Sequence, residues 1–176
     1  MTSQPPPPMP MTRVAAASTD LIVGLSAGLA ASWAMNQFQQ TWTYLAEEPE
    51  PEETAASKAA DALTEQACGA PIKKSNKIAA DTVLHYLTGA VIGGAYGLVG
   101  GIFPKLFTGR GLLFGAGVWL LADELAVPAL QLAPLPTQTE PKDHALGLTS
   151  HLVFGAVLVL SRRWINSLIS PSPPEP

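Results

Sequence analysis

Two adjacent carboxylates, Asp123 and Glu124, stand in the middle of an otherwise apolar stretch at residues 112–132. That stretch is about long enough to cross a bilayer, which takes roughly 20 apolar residues in a helix. A carboxylate at the centre of a membrane helix costs roughly 2.5–3.5 kcal/mol on insertion scales, so each of these two needs a partner, a proton or water. The sequence therefore predicts a polar site inside a bundle of helices.

Charge is scarce in this chain and is confined to a few segments. Of the 176 residues, 47% are hydrophobic and only 14% are charged, whereas soluble domains have about 25% charged residues. The long runs without charge predict four membrane spans, at about 21–38, 80–103, 112–132 and 144–161. The net charge is −4 and the sequence has no basic patch, so we expect the lipid bilayer and no nucleic acid as a partner.

The spans predict an all-α fold, a four-helix transmembrane bundle in one domain at residues 19–165. The long first loop has an Ala-rich segment at about 54–68, which predicts a short helix outside the membrane. The two ends, residues 1–18 and 166–176, are rich in proline. Proline interrupts helices and these ends have few apolar residues to bury, so we expect both ends to be disordered.

The first apolar run also has to be compared with a signal peptide. Ser32-Trp-Ala34 has the small-x-small pattern of a cleavage site. A long leader and Asp20 precede the run, however, so a retained transmembrane helix is favoured. Basic residues near the span ends slightly favour two cytoplasmic termini, and the sequence thus predicts a multi-pass protein of the plasma membrane.

Small residues recur at a spacing of four along the spans, which puts them on one stripe of each helix. Such stripes let helix backbones approach closely. We expect close packing at Gly24, Gly28, Gly89, Gly93, Gly97, Gly101 and Gly155. Asn36, His85 and His151 lie on the same stripes. Their side chains are therefore expected to face other helices rather than lipid.

Depth in the membrane predicts that the polar residues share a site. With four antiparallel spans and about 1.5 Å of rise per residue, five of them fall in the same half of the bundle. These five are Asn36, His85, Asp123, Glu124 and His151. We expect a polar vestibule there, with His85 and His151 as the nearest partners of the carboxylates and with Tyr86 and His144 at its mouth.

Pro128 follows Glu124 by four residues. Proline has no N–H to donate to the Glu124 carbonyl, so we expect a kink at this point. Breaks of this kind in membrane helices border cavities. We therefore expect Glu124 to face water beside the kink and to carry a proton, with Asp123 as the buried partner of a histidine.

Short motifs are spread over residues 20–165. They are Trp33-Ala-Met-Asn36, Lys58-Ala-Ala-Asp61, His85-Tyr86, Phe103-Pro-Lys105, Gly115…Trp119…Asp123-Glu124…Pro128 and Ser150-His-Leu152…Gly155. Together they resemble the YagU-like bacterial inner-membrane proteins, a family with a domain of unknown function. The resemblance implies a multi-span inner-membrane protein with a link to acid tolerance and no established activity. The third span departs from the founding member of the family, which has a histidine in place of the Asp-Glu pair, so the resemblance implies no shared mechanism for these carboxylates.

Three interpretations of the polar residues remain open, and the first is favoured. The cluster could bind and release protons, because adjacent carboxylates do not readily hold two charges at low dielectric and histidine titrates near neutrality. The three histidines and a carboxylate could instead bind a metal, either for transport or for an intramembrane enzyme. No known ligand spacing is present, so no metal or other cofactor is expected. The groups could also only hold the bundle together, in a protein that assembles with a second copy or another membrane protein.

The sequence has none of the motifs of common soluble enzymes. It contains no GxSxG, no P-loop and no dinucleotide-binding fingerprint. We therefore expect a protein without enzymatic activity.

Overall fold

A computed structural model describes residues 10–47, 54–103 and 111–169. These residues form α-helices without any strand, so the all-α prediction is confirmed. The five longer helices are α1 (Pro10–Ala46), α2 (Ala55–Cys68), α3 (Lys77–Ile102), α4 (Gly111–Leu121) and α5 (Pro141–Ile169). A π-helical turn at Ala122–Ala126 and a short helix at Val127–Ala129 extend α4, and 3-10 turns lie at Lys74–Asn76 and Pro136–Gln138.

Four helices are long and apolar enough to cross a membrane, which is typical of a multi-pass membrane protein. They comprise Val14–Ala46, Lys74–Ile102, Gly111–Ala129 and Pro141–Ile169.

Helices α1 and α5 extend further than the predicted spans. Residues 10–18 and 166–169 are helical rather than disordered. Pro10 occupies the first helical turn, where its missing N–H is not needed, and Ala15 to Ala17 are strong helix formers. The rest of the predicted disorder, at 1–9 and 170–176, lies outside the described residues.

The spans pack in the order α3, α1, α5, α4. Neighbouring helices are antiparallel: Gly24 of α1 lies against Gly93 of α3, and Gly28 against Gly89. The end of α1, the start of α3, the end of α4 and the start of α5 therefore share one end of the bundle. This order separates α3 from the polar end of α4, because α1 and α5 lie between them.

Glycines lie where the helix backbones touch. A Cβ atom at Gly24 or Gly28 would overlap the carbonyl oxygen of Gly93 or Gly89. Between α4 and α5, a Cβ atom at Gly155 would overlap the carbonyl oxygen of Gly111. These approaches require a residue without a side chain, because the overlapping atoms belong to backbones that cannot rotate away.

The core lies between α1, α3 and α5. Its buried members are Ala27, Ala31, Met35, Tyr96, Phe154, Leu158 and Val159. Helix α4 reaches this core through Phe114, whose ring lies 4.6 Å from that of Tyr96. Within α4 itself only Gly111 and Gly115 are buried. Its outer face is therefore apolar and is not covered by the other residues that the structure describes, as expected for a helix in lipid.

Helix α2 is fastened to the start of α3. The Thr54 hydroxyl accepts a hydrogen bond from the Ser57 N–H at 3.0 Å and so caps the helix. The same hydroxyl donates to the Asp81 carboxylate. Asp61 forms a salt bridge with Lys77 at 2.8 Å. Two side-chain contacts thus join α2 to α3.

Acid is expected to loosen α2. The hydrogen bond from Lys77 holds the pKa of Asp61 below its usual value, and the N–H of Ile72 adds to this. A lowered pKa in the folded state means that the stabilisation is complete above the unfolded pKa, about 3.9, and is lost as pH falls through the lower folded value. A spin label on Cys68, the single cysteine of the chain, should therefore become more mobile below about pH 4.

The matched variant is Asp61→Asn, which should give a mobile label even at neutral pH. If the label is equally immobile in this variant and in the unmodified sequence, the Asp61–Lys77 contact does not hold α2.

Candidate functional site: the cavity between α4 and α5

Asp123 and Glu124 lie on the π-helical turn Ala122–Ala126, directly before Pro128. In this turn the Val127 N–H bonds back five residues to the Ala122 carbonyl. Pro128 has no N–H for the Glu124 carbonyl, so a regular α-helical ladder cannot continue past this point. The break expected from Pro128 thus takes the form of a wider turn. Such turns are rare in proteins and are frequent at functional sites.

His144 of α5 joins Glu124 to the loop that follows α4. Its Nδ1 lies 2.7 Å from Glu124 Oε1, and its Nε2 lies 3.0 Å from the carbonyl oxygen of Pro136. The side chain of Glu124 is only 14% exposed. The contact therefore binds a largely buried carboxylate of α4 to the first turns of α5.

The two contacts of His144 determine where its protons lie. A carbonyl oxygen only accepts hydrogen bonds, so Nε2 must carry a hydrogen that it donates to Pro136. The contact between Nδ1 and Glu124 then needs one further proton. That proton is either on Nδ1, which gives an imidazolium and a carboxylate, or on the carboxyl group, which gives two neutral groups. Without it, the carboxylate would face a nitrogen lone pair.

Asp123 faces a second histidine of α5. His151 is buried, and its Nδ1 donates to the carbonyl oxygen of Gly147 at 2.9 Å. Asp123 Oδ2 lies 3.5 Å from the same nitrogen, which is longer than a good N–H···O hydrogen bond of 2.7–3.2 Å. His151 is therefore near enough to attract the Asp123 charge, while its hydrogen bond goes to the backbone.

A cavity of about 500 Å³ opens beside these pairs. Its polar lining includes Trp119, Asp123, Glu124, Glu140, Asp143 and His144. Prolines of the turn and loop form much of the rest, and Ala55 of α2 also contributes. Four carboxylates in one concave space produce a negative potential that attracts protons and other cations.

The prediction that Glu124 is more exposed to water than Asp123 is wrong. The side chain of Asp123 is 40% exposed, against 14% for Glu124, so Asp123 rather than Glu124 has the greater exposure. The expectation assumed regular α-helical spacing, whereas both carboxylates lie on a π-helical turn. The expected neighbour of Asp123, a histidine, is present as His151.

Three predicted members lie away from the cavity. His85 Nε2 lies 3.4 Å from the Ser32 carbonyl oxygen at the interface of α1 and α3. The ring of Tyr86 packs edge-on against His85, at 5.7 Å between centroids. Asn36 is half-buried on α1. None of the three lines the cavity. The nearest histidine of Glu124 is His144, predicted only for the mouth, and not His85.

The sequence interpretation missed one polar contact at the opposite end of the bundle. Arg162 Nη2 of α5 donates to Asp20 Oδ1 of α1 at 2.8 Å. Asp20 directly precedes the predicted first span, yet it lies well inside α1. The signal that could have found it is its spacing of four from Gly24, which puts it on the glycine stripe.

Comparisons with family models, curated proteins and solved structures found no match to this chain. The resemblance to the YagU-like family stays a prediction from its short motifs. Among the described residues, no group of three or more His, Cys, Asp and Glu side chains could hold a metal ion. The metal interpretation therefore finds no set of ligands in this part of the chain.

Proposed function

We propose that this chain is a proton-responsive membrane protein, in which the proton shared by Glu124 and His144 controls how α4 packs against α5. The observation that carries the proposal is the 2.7 Å contact between these side chains, together with the Pro136 carbonyl that occupies the other nitrogen of His144. Because the contact joins two helices, loss of its proton weakens their junction. Histidine titrates near pH 6.5 in model peptides, within the physiological range.

The cellular role proposed for this response is that of an accessory protein in tolerance of acid or envelope stress. The resemblance to the YagU-like family supports this role, as does the acidic cavity through which protons would reach the pair. The family also supports the bacterial inner membrane as the location. Lipid, or a second copy of the chain, would cover the exposed apolar face of α4.

The proposed orientation has both termini in the cytoplasm and the cavity open to the outside. It is supported by basic residues that adjoin three places in the sequence, namely the start of the first span, the connection between the second and third spans and the end of the fourth span. These residues are Arg13, Lys105, Arg110, Arg162 and Arg163. A reporter fused after Ile169 should give a cytoplasmic signal, and one inserted at Thr139 an external signal. The reverse pair of signals would invert the orientation, and equal signals would contradict the four-span topology.

Glu124→Gln is the direct test of the shared proton. Glutamine keeps the shape and can still hydrogen-bond to His144, but it cannot take up or release a proton in this range. In the unmodified protein, the free energy of unfolding should fall as pH rises and the pair loses its proton. The expected decrease is about 1.5–3 kcal/mol, the contribution of a hydrogen bond to a charged group. Glu124→Gln should make this part of the stability profile flat.

Glu140→Gln is the matched control, because Glu140 lines the same cavity but its side chain is 70% exposed. It should leave the pH profile unchanged. A drop in stability of the same size at every pH in Glu124→Gln would favour a purely structural contact. The protein would then be a packing or assembly component, and the proton proposal would be rejected.

A further inference from the structure

Trp119 has a buried hydrogen-bond donor that no acceptor among the described residues satisfies. The atom is the indole Nε1, which can donate but cannot accept. A buried N–H group of this kind is costly, and each instance in a protein calls for a physical reason. Trp119 lies on α4 and Asp123 on the π-helical turn that follows it, and both side chains approach Gly147 of α5.

Asp123, in turn, has a carboxylate that receives no hydrogen bond from its neighbouring histidine. It is an acceptor, and the N–H of its neighbouring histidine is donated to the Gly147 carbonyl oxygen instead. Gly147 also lies between Asp123 and Trp119. A Cβ atom at Gly147 would lie 3.1 Å from Trp119 Nε1 and 3.5 Å from Asp123 Oδ2. An unsatisfied donor and an underused acceptor therefore face the same small space, which exists because residue 147 has no side chain.

We propose that Trp119 is a positioning residue for Asp123. Its N–H hydrogen-bonds through one water molecule to the charged carboxylate above Gly147, and so sets the pH at which Asp123 takes up a proton. This inference rests on the proposed function, since it concerns the second carboxylate of the same cavity.

The other ionisable groups around Asp123 do not replace this donor. From α5, His151 lies 3.5 Å away and His144 is bonded to Glu124. Asp143 of α5, Glu140 of the preceding loop and the adjacent Glu124 are carboxylates, which repel the charge of Asp123. Helix α2 contributes only Ala55 to the lining. Trp119 is thus the remaining donor that faces the same space as the Asp123 carboxylate.

Two substitutions test the inference through one spectroscopic signal. Trp119→Phe removes the N–H and keeps an aromatic ring, whereas Gly147→Ala puts a methyl group into the shared space. The signal is the infrared carboxyl band that disappears in Asp123→Asn, followed against pH. Hydrogen bonding to a carboxylate favours its charged form. Both variants should therefore shift the midpoint of this band upward by about one pH unit, a tenfold change in the protonation equilibrium.

Gly117→Ala is the control, because a Cβ atom there would meet no atom of the described residues within 4 Å. It should keep the midpoint of the unmodified protein. An unchanged midpoint in both Trp119→Phe and Gly147→Ala overturns the inference, as does an equal shift in Gly117→Ala. Neither result affects the Glu124–His144 proposal, which depends on the stability profile of Glu124→Gln. If that profile keeps its pH dependence while the Asp123 midpoint moves with Trp119→Phe, the proposed function fails and the role of Trp119 stands.

Discussion

Gly93→Leu is expected to cause a large loss of stability by forcing α1 and α3 apart. A Cβ atom at Gly93 would overlap the carbonyl oxygen of Gly24 and would lie 2.6 Å from the Cα atom of Gly28. Both are backbone atoms, so no side-chain rotation relieves the overlap and the helices must separate. Overpacking costs about 1–3 kcal/mol when a core can adjust, and we expect the upper end here. Thermal unfolding in detergent measures the loss.

Gly117→Leu is the matched control, since it makes the same substitution at a helical glycine whose Cβ position is free of contacts. It should be neutral or slightly stabilising, because glycine is worse than leucine inside a helix by up to about 1 kcal/mol. Ala90, which is off the glycine stripe, is itself buried and is therefore a poorer control. Equal losses at positions 93 and 117 would mean that helix propensity, and not close packing, decides the effect.

The spans could be predicted from the sequence because membrane insertion depends on local composition. Long runs without charge are visible residue by residue, and all four correspond to helices long enough to cross a bilayer. The prediction of where α1 and α5 begin and end was less accurate. A span predicted from hydropathy ends where polar residues begin. A helix, however, continues as long as its residues tolerate helical geometry, as Ala15 to Ala17 do.

The glycine spacing predicted which faces pack, but not which helices meet. A stripe on α3 such as Gly89 and Gly93 shows that a backbone approaches there. Only the three-dimensional order of the helices shows that the approaching backbone is that of α1. The unknown order of the helices also explains why the prediction that His85 is a neighbour of the carboxylates is wrong. The prediction that His85 lies near Asp123 used depth in the membrane alone, which is one coordinate, whereas α1 and α5 lie between the two helices.

The carboxylate pair could be recognised as a site from its cost in a membrane helix. Pro128 further predicted that the helix would be interrupted beside it. The direction of each side chain could not be derived, because an interrupted helix can bend, unwind or widen. Here it widens into a π-helical turn, which leaves Glu124 the more buried carboxylate and brings it to His144.

Asp20 and Arg162 form the polar contact that ties α1 to α5 at the other end of the bundle. Their side chains are 27% and 19% exposed, so water screens the pair only in part. A Cβ atom at Gly100 of α3 would lie 3.5 Å from the Arg162 guanidinium, and one at Gly101 would overlap the Asp20 carboxylate. The pair therefore lies against glycines of α3, and it connects three helices at one point.

A double-mutant cycle with Asp20→Asn and Arg162→Gln should reveal this connection as a coupling energy. Each single substitution leaves one charge without its partner. Fully buried pairs lose about 3–5 kcal/mol in that way and exposed pairs less than about 1, so we expect roughly 2 kcal/mol for each single variant. The double variant should lose clearly less than the two single losses together, because neither charge remains.

Combining Asp20→Asn with Arg163→Gln, at the exposed neighbour of Arg162, should instead be additive within about 0.5 kcal/mol. Additivity in both cycles, measured by thermal unfolding, would show that Asp20 and Arg162 do not stabilise the bundle as a pair.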